Sequence, residues 1–339
     1  MGRKGYLIGR CAAFGMLLLI IDSKTAIVGA AKGIELCLKT VIPSLFPFFV
    51  LSSMLTSSLL GLGSKFLAPI GRLCGIPSGA ESIFFTGLIG GYPLGARNIA
   101  QARLAGQLSK ADAERMLAFC SNAGPAFIFG MAGSMFDQAW IPWVLWGIHI
   151  LGAIVTAVIL PRNGYDQASV RKAKLVSLPE ALRSSLIAMA NVCGWVVLFR
   201  VVIAFLERWI LWIMPQVLQA CLSGLLELAN GCCALDRIPN TGLRFIICSA
   251  ILAFGGLCVA MQTISVSEGV SIKLYLPGKL LQTSFCVIIA CIVQYLSHSI
   301  ETSDSTLEIL LISFAVFVVT AGILRKLQKS SSIPVPIGV

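Results

Sequence analysis

Residues 141–160, IPWVLWGIHILGAIVTAVIL, form an apolar stretch that contains no acidic or basic residue apart from one histidine. About 20 such residues in a helix cross the roughly 30 Å hydrocarbon core of a bilayer. The sequence therefore predicts an all-α polytopic membrane protein with about eight transmembrane helices. The other predicted spans are 6–22, 34–60, 114–136, 184–207, 243–263, 272–296 and 307–325.

The composition of the 339 residues agrees with this class of protein. Hydrophobic residues make up 57% of the chain and charged residues only 12%, and the mean hydropathy is +0.89. Soluble domains carry about 25% charged residues, so a soluble fold is excluded. The basic residues behind the net charge of +11 lie in short loops between spans, where they set topology. We therefore expect the lipid bilayer, and no nucleic acid, as a partner.

Residues for catalysis or metal binding are scarce. His149 and His298 are the only two histidines, and the twelve cysteines include no Cys-x-x-Cys pair. No nucleophile–base set or metal-spaced pair can be assembled from them. We expect no enzyme activity, no cofactor and no metal site. His149 is expected to make an interhelical hydrogen bond, with a proton relay as the alternative.

Two further apolar stretches, 80–96 and 221–235, are short or broken by glycine, and they predict re-entrant hairpins. Repeat one, 34–160, then has the order span, hairpin, broken span (114–136), span. Repeat two, 184–296, has the order span, hairpin, span, span. The first set begins outside and the second inside, which predicts an inverted repeat of the kind found in secondary transporters.

The remaining segments complete the predicted domain organisation. They are a first transmembrane helix and loop at 1–33, a basic cytoplasmic loop at 161–183, and a last helix with a cytoplasmic tail at 297–339. With the N-terminus inside, most of the 26 basic residues, Lys273 and Lys279 among them, lie on the inner face. The loop 297–306 has no basic residue and falls outside. We predict a multi-pass protein of the cell (cytoplasmic) membrane with both termini in the cytoplasm.

The densest unusual segment is Gly87-Leu-Ile-Gly-Gly-Tyr-Pro-Leu-Gly-Ala96. Its four glycines and one proline do not suit a straight helix. One interpretation is a hairpin tip lining a polar cavity, with Gly91, Tyr92 and Pro93 as substrate-binding candidates. The other is close helix packing through small residues.

A second break is predicted at Ser121-Asn-Ala-Gly-Pro125. The preceding helix begins with Ser109 as an N-cap, and the proline disfavours helix at residue 124. The break lies about 20 Å beyond the helix start, inside the bilayer, where free main-chain groups must face protein or water. Asn122, Gly124 and Pro125 are therefore site candidates. A proline kink satisfied by neighbouring helices is the alternative.

In the second half, Gly224-Leu-Leu-Glu-Leu-Ala-Asn-Gly231 places Glu227 and Asn230 three residues apart, on one face of a helical turn. A carboxylate in an apolar segment is costly and by default indicates a functional site. The alternatives are a helix cap or an ion pair with Arg200 or Arg244. Arg200 can also pair with Glu207, seven positions later.

These motifs together resemble a known family. Gly90-Gly-Tyr-Pro-Leu-Gly-Ala96, Ser109-Lys-x-x-Ala-Glu-Arg115 and Cys120-Ser-Asn-Ala-Gly-Pro125 resemble the YlbJ-type sporulation integral membrane proteins. That family is placed in the nucleoside-recognition or Gate group, which is similar to the cores of concentrative nucleoside transporters and ferrous-iron permeases. The resemblance implies a role in sporulation, specifically in spore cortex assembly. It also implies solute binding by Asn122, Glu227 and Asn230.

The sequence thus predicts a permease-like protein that binds or transports a small polar solute, nucleoside-like, or an ion. One departure concerns selectivity, because Gly-Gly-Tyr-Pro stands where the nucleoside transporters carry a polar Gln/Thr/Glu cluster. The alternative function is a non-transporting scaffold or gating component of a sporulation complex. A polar cavity joining Asn122 to Glu227 would favour the permease, and a packed centre would favour the scaffold. A homo-oligomer is compatible with either function.

Overall fold

The computed structural model describes residues 3–59, 65–160, 175–297 and 305–331. In these ranges the regular structure is helical throughout, without a strand. Among the described residues, seven helices or joined helices are long and apolar enough to cross a membrane. The predicted all-α polytopic class is confirmed. The seven are Ser23–Leu59, Lys110–Met135, Ile141–Ile159, Leu178–Trp209, Thr241–Val266, Tyr275–Leu296 and Thr306–Leu327.

Within residues 3–59 and 65–160, nine α-helices are joined by short turns and breaks. A π-helical turn, Cys37–Val41, joins α2 to α3, and α8 continues through helical turns to Met135. The helices are α1 (Arg3–Ile21), α2 (Ser23–Leu36), α3 (Ile42–Leu59), α4 (Ala68–Cys74), α5 (Glu81–Gly90), α6 (Leu94–Leu104), α7 (Lys110–Cys120), α8 (Pro125–Phe127) and α9 (Ile141–Ile159).

The second half repeats the order of a long helix, a two-helix hairpin, a broken helix and a continuous helix. The two hairpins are α5–α6 in the first half and α11–α12 in the second, and both are longer than predicted. The inverted orientation of the two sets stays a prediction. The helices are α10 (Leu178–Trp209), α11 (Gln216–Leu226), α12 (Leu228–Leu235), α13 (Thr241–Phe254), α14 (Gly256–Val266), α15 (Tyr275–Leu296) and α16 (Thr306–Ser331).

Several predicted boundaries differ from the observed ones. Residues 23–33, predicted as part of a loop, are helical, because Asp22 caps α2 by accepting from the Thr25 amide at 3.2 Å. The first predicted span is α1, whose apolar part Gly9–Ile21 is shorter than the seven candidates. The predicted span 243–263 is broken at Gly255, a break that the sequence analysis does not predict. Residues 161–174 of the basic loop and 298–304 of the outer loop lie outside the described residues.

The helices α2 and α10 pack closely through glycine residues of α2. A Cβ atom on Gly29 would lie 2.8 Å from Cβ of Ala204, and one on Gly33 would lie 2.9 Å from Cα of Val197. Small residues four apart let helix backbones approach each other in a membrane, where the hydrophobic effect does not drive helices together. This contact joins the first long segment of one half directly to that of the other.

Candidate functional site

The tip of the first hairpin lies directly against the break of the first broken helix. α5 ends at Gly90 and is followed by Gly91, whose φ of +81° suits glycine, and α7 ends at Cys120. A Cβ atom on Gly124 would lie 2.9 Å from the main-chain nitrogen of Gly91. The structure therefore groups six of the predicted site residues: Gly91, Tyr92, Pro93, Asn122, Gly124 and Pro125.

The side chain of Asn122 is fully buried and belongs to a polar cluster. Its Oδ1 accepts from Nε2 of Gln282 at 3.0 Å and from Nζ of Lys279 at 3.4 Å, and its Nδ2 donates to the Phe119 carbonyl at 2.7 Å. Lys279 Nζ also donates to Oε1 of Gln282 at 2.7 Å. These contacts satisfy the Asn122 amide without leaving it exposed to a cavity.

Tyr92 connects this cluster to the second half of the chain. Its hydroxyl donates to the Leu252 and Ala253 carbonyls at 3.3 Å and 3.1 Å, and its oxygen accepts from Lys279 Nζ at 3.2 Å. The two carbonyls lie in the last turn of α13, just before the break at Gly255. The Tyr92 ring is itself close to that break, because a Cβ on Gly255 would lie 3.1 Å from it.

His149 makes the interhelical hydrogen bond that the sequence predicts. Its Nε2 accepts from the Ala123 amide at 3.0 Å, so it satisfies one of the main-chain donors freed by the break before Pro125. The acceptor nitrogen carries no proton, which places the imidazole proton on Nδ1. The proton-relay alternative stays untested.

Glu227 forms the tip of the second hairpin and caps α12. Its carboxylate accepts from the Ala229 amide at 3.0 Å, the Asn230 amide at 2.7 Å and the Asn230 side chain. Of the two structural roles considered for Glu227, a helix cap or an ion pair with arginine, these contacts are those of a helix cap. Arg200 instead binds Glu207 at 3.0 Å, as predicted, and Arg244 donates to the Ile238 and Met135 carbonyls.

The second tip also meets a broken helix. A Cβ on Gly256 would lie 3.2 Å from the main-chain nitrogen of Glu227. The break Gly255–Gly256 thus contacts Tyr92 on one side and Glu227 on the other. It brings the two groups of predicted site residues close together, although none of their polar side chains bond across it within the described residues.

A polar pocket of about 330 Å³ opens beside the second hairpin. Ser223 and Asn230 line it, and Asn122 does not. Arg200 also lines the pocket; it is 6% exposed, and its Nη1 is buried without a hydrogen-bond partner in the described part of the chain. Basic side chains outnumber acidic ones here, since the charged lining consists of Lys32, Lys39, Arg200, Arg237, Glu35 and Glu207.

Two residues of these regions have an environment that the sequence analysis does not predict. Lys279 is assigned there to the inner face as a topology signal, but it is fully buried, and that assignment is wrong. The available signal is its position inside the predicted span 272–296, three residues before Gln282. From the sequence, Arg200 is predicted only as an ion-pair partner. The pocket is formed by α2, α10 and the second hairpin, so no local sequence pattern indicates it.

The sequence of the chain is similar to that of a known membrane protein. The chain is 25% identical over 352 residues to the sporulation integral membrane protein YlbJ of Bacillus subtilis (strain 168), covering 84% of this chain and 85% of that protein. The resemblance to YlbJ-type membrane proteins is confirmed. No family model and no solved structure matches the chain. The similarity supports a multi-pass membrane protein involved in sporulation, and the grouping with Gate proteins stays a prediction.

Proposed function

We propose that this protein is a permease that binds a small anionic solute in the pocket beside the second hairpin and moves it across the membrane during sporulation. The observation that carries the proposal is Arg200. A guanidinium on a residue only 6% exposed, with Nη1 unpartnered in the described residues, is costly unless an acceptor reaches it. A carboxylate or phosphate oxygen is the acceptor that a guanidinium binds most strongly.

The charge of the pocket agrees with an anion. Glu207 pairs with Arg200 at 3.0 Å and Glu35 pairs with Lys39 at 2.7 Å, which leaves Lys32 and Arg237 without an ion-pair partner among the described residues. The volume of about 330 Å³ lies at the lower end for small-molecule sites. A neutral nucleoside, as the Gate resemblance implies, would leave this positive charge unused.

The arrangement around the pocket supports movement of a solute rather than storage. The pocket wall includes the second hairpin, whose tip rests on the break Gly255–Gly256, and breaks of this kind are where transporter helices bind solutes and rearrange. In the predicted orientation the pocket faces outside. Exposure to the inside requires the Tyr92 cluster to open, because this cluster closes the path on the other side of the break.

A non-transporting scaffold is the second candidate, and the packed centre favours it. Asn122 and Lys279 are fully buried, and neither of them lines the pocket. A scaffold would keep this centre closed at all times and would need no solute.

A thermal-stability screen of the purified protein tests the proposal. The probes are inorganic phosphate, succinate, glutamate and uridine, so anions are compared with a neutral nucleoside. A ligand of the native state raises stability with the logarithm of its concentration over Kd. We expect an anion to stabilise the protein and uridine to have no effect. Stabilisation by uridine alone would contradict the anionic assignment.

A matched pair of variants locates the site. Arg200→Gln removes the guanidinium from the pocket, and Arg208→Gln removes an arginine farther along α10 that pairs with Asp22 at 2.8 Å outside it. Hydrogen bonds to charged groups contribute about 1.5–3 kcal/mol, so Arg200→Gln should lower the affinity for the anion roughly ten- to hundredfold. Arg208→Gln should leave the affinity unchanged. Binding without uptake into proteoliposomes would favour the scaffold.

A further inference from the structure

Lys279 is a fully buried lysine whose hydrogen-bond partners are all neutral. Its Nζ lies 2.7 Å from Gln282 Oε1, 3.2 Å from the Tyr92 hydroxyl and 3.4 Å from Asn122 Oδ1, and 5.0 Å from the centre of the Tyr92 ring. No carboxylate of the described residues pairs with it. A buried basic group without a counter-ion is rare inside a membrane protein and by default indicates function.

The cluster can hold Lys279 either with or without its extra proton. An ammonium has three N–H donors, and three acceptors surround Nζ: the oxygens of Gln282, Asn122 and Tyr92. The Tyr92 oxygen is free to accept because its own proton goes to the Leu252 and Ala253 carbonyls. A neutral amine keeps two of these donors and gains a lone pair, so loss of the proton costs one hydrogen bond rather than the whole cluster.

Other ionisable side chains face Lys279 from each neighbouring element. They are Tyr92 from the first hairpin, Cys120 from α7, His149 from α9 and Cys286 from α15 itself. Each of these groups is neutral in its ordinary state near pH 7 except for partial protonation of histidine. His149 already accepts a main-chain hydrogen bond through Nε2, so this nitrogen carries no proton and the imidazole is neutral.

We infer that Lys279 is a proton-binding site and that its protonation is coupled to solute movement. The coupling part rests on the proposed permease function. A physical connection runs from Lys279 through Tyr92 to the break Gly255–Gly256, and from there to Glu227 and to Asn230 on the pocket wall. An anion that enters stabilises a positive charge on Lys279, so anion binding and proton uptake favour each other.

The proton site itself is tested without any solute. The melting temperature of the purified protein is measured between about pH 5 and pH 9.5, because a group that binds protons differently in the folded and unfolded states makes stability depend on pH. Lys279→Met fixes the site neutral and Lys279→Arg fixes it charged. We expect both variants to lose one pH-dependent step that the wild type shows.

Two controls assign that step. Lys273→Met removes an exposed lysine just before α15 and should retain the step. His149→Gln removes the buried imidazole near Lys279 and should also retain it. A step that persists in both Lys279 variants, or that disappears in His149→Gln, would overturn the proton site. Two opposite substitutions are used so that failure of one to fold leaves the other as the test.

Coupling is tested by calorimetry of succinate binding in two buffers that differ in ionisation enthalpy. We expect the wild type to take up protons on binding and Lys279→Met to lose this uptake while still binding succinate. Succinate binding with equal proton uptake in both proteins would overturn the coupling. If neither succinate nor phosphate binds, the anion-permease proposal fails, and the pH step in melting temperature alone decides whether Lys279 binds a proton.

Discussion

The two hairpin tips have the same architecture but differ in their polar groups and in the space around them. At the first tip, the Tyr92 hydroxyl binds Lys279 and the end of α13, and Lys279 in turn binds the side-chain amides of Asn122 and Gln282. At the second tip, Glu227 caps a helix while the neighbouring Arg200 keeps one unpartnered nitrogen, among the described residues, beside a pocket. The cluster at the first tip is closely packed, whereas Arg200 at the second lies beside open space that a ligand can occupy. Repeated structure therefore does not imply repeated function.

The largest effect is expected where the first tip packs on main chain. A Cβ atom on Gly95 would collide with the carbonyl oxygen of Cys120, which cannot move without shifting the end of α7. Gly95→Ala should therefore lower the free energy of unfolding by roughly 3 kcal/mol, or prevent folding altogether. The measurement is the yield of monodisperse protein in detergent and its melting temperature.

Gly147→Ala is the matched control for this substitution. Gly147 lies within α9, a Cβ atom added there would meet no neighbouring residue within 4 Å, and alanine favours helix by about 1 kcal/mol. The variant should keep or raise the melting temperature. Equal behaviour of the two variants would show that the first tip is not closely packed in solution.

Glu227→Gln tests whether the second tip is a cap, a binding group or both. The amide oxygen of glutamine can replace one carboxylate oxygen as an acceptor. Its NH2 group, however, would face an N–H group that donates to the other carboxylate oxygen in the wild type. We expect a loss of about 1–2 kcal/mol in folding free energy, with insertion and folding otherwise intact. Glu268→Gln, an exposed acid, should have no effect.

The anion affinity of the same variant separates the two roles. Because Glu227 holds Asn230 at the pocket wall, a binding role predicts altered affinity in addition to the loss of stability. Unchanged affinity with lowered stability would leave Glu227 as a helix cap alone. Normal stability together with normal affinity would remove it from the site.

What can be predicted from the sequence divides along the same lines. Pro125 and the glycines of the first hairpin mark breaks through local backbone chemistry, and the structure has breaks at both places. Lys279 is misassigned because a basic residue near the end of a span looks the same whether it turns toward water or toward the bundle. The break at Gly255 and the pocket at Arg200 escape prediction because their environment comes from distant elements. Ser109, by contrast, caps its helix as predicted, since that interaction spans only three residues.

Labelling of native cysteines can show how accessible each of the two tips is to water. Cys233 is exposed and lines the pocket, while Cys120 is fully buried behind the first hairpin. A small impermeant thiol reagent should modify Cys233 at least about tenfold faster, since thiol reactivity follows exposure. Peptide mass spectrometry of the folded protein gives both rates. An Asn122→Cys variant should be protected like Cys120, and rapid labelling there would reveal a water-filled opening at the first tip.

The smallest effect is expected at the rim of the pocket. Lys39 forms an exposed pair with Glu35 at 2.7 Å, with side-chain exposures of 74% and 58%. Exposed pairs contribute little to folding, so Lys39→Ala should leave the melting temperature unchanged. The variant still removes one positive charge from the pocket lining. It should therefore lower the affinity for the stabilising anion a few-fold at about 0.05 M salt. At about 0.5 M salt the difference should vanish, because the Debye length falls from about 14 Å to about 4 Å and the exposed charge is screened. A loss as large as that of Arg200→Gln, or one that survives high salt, would mean that the anion binds at the rim and not at the buried guanidinium.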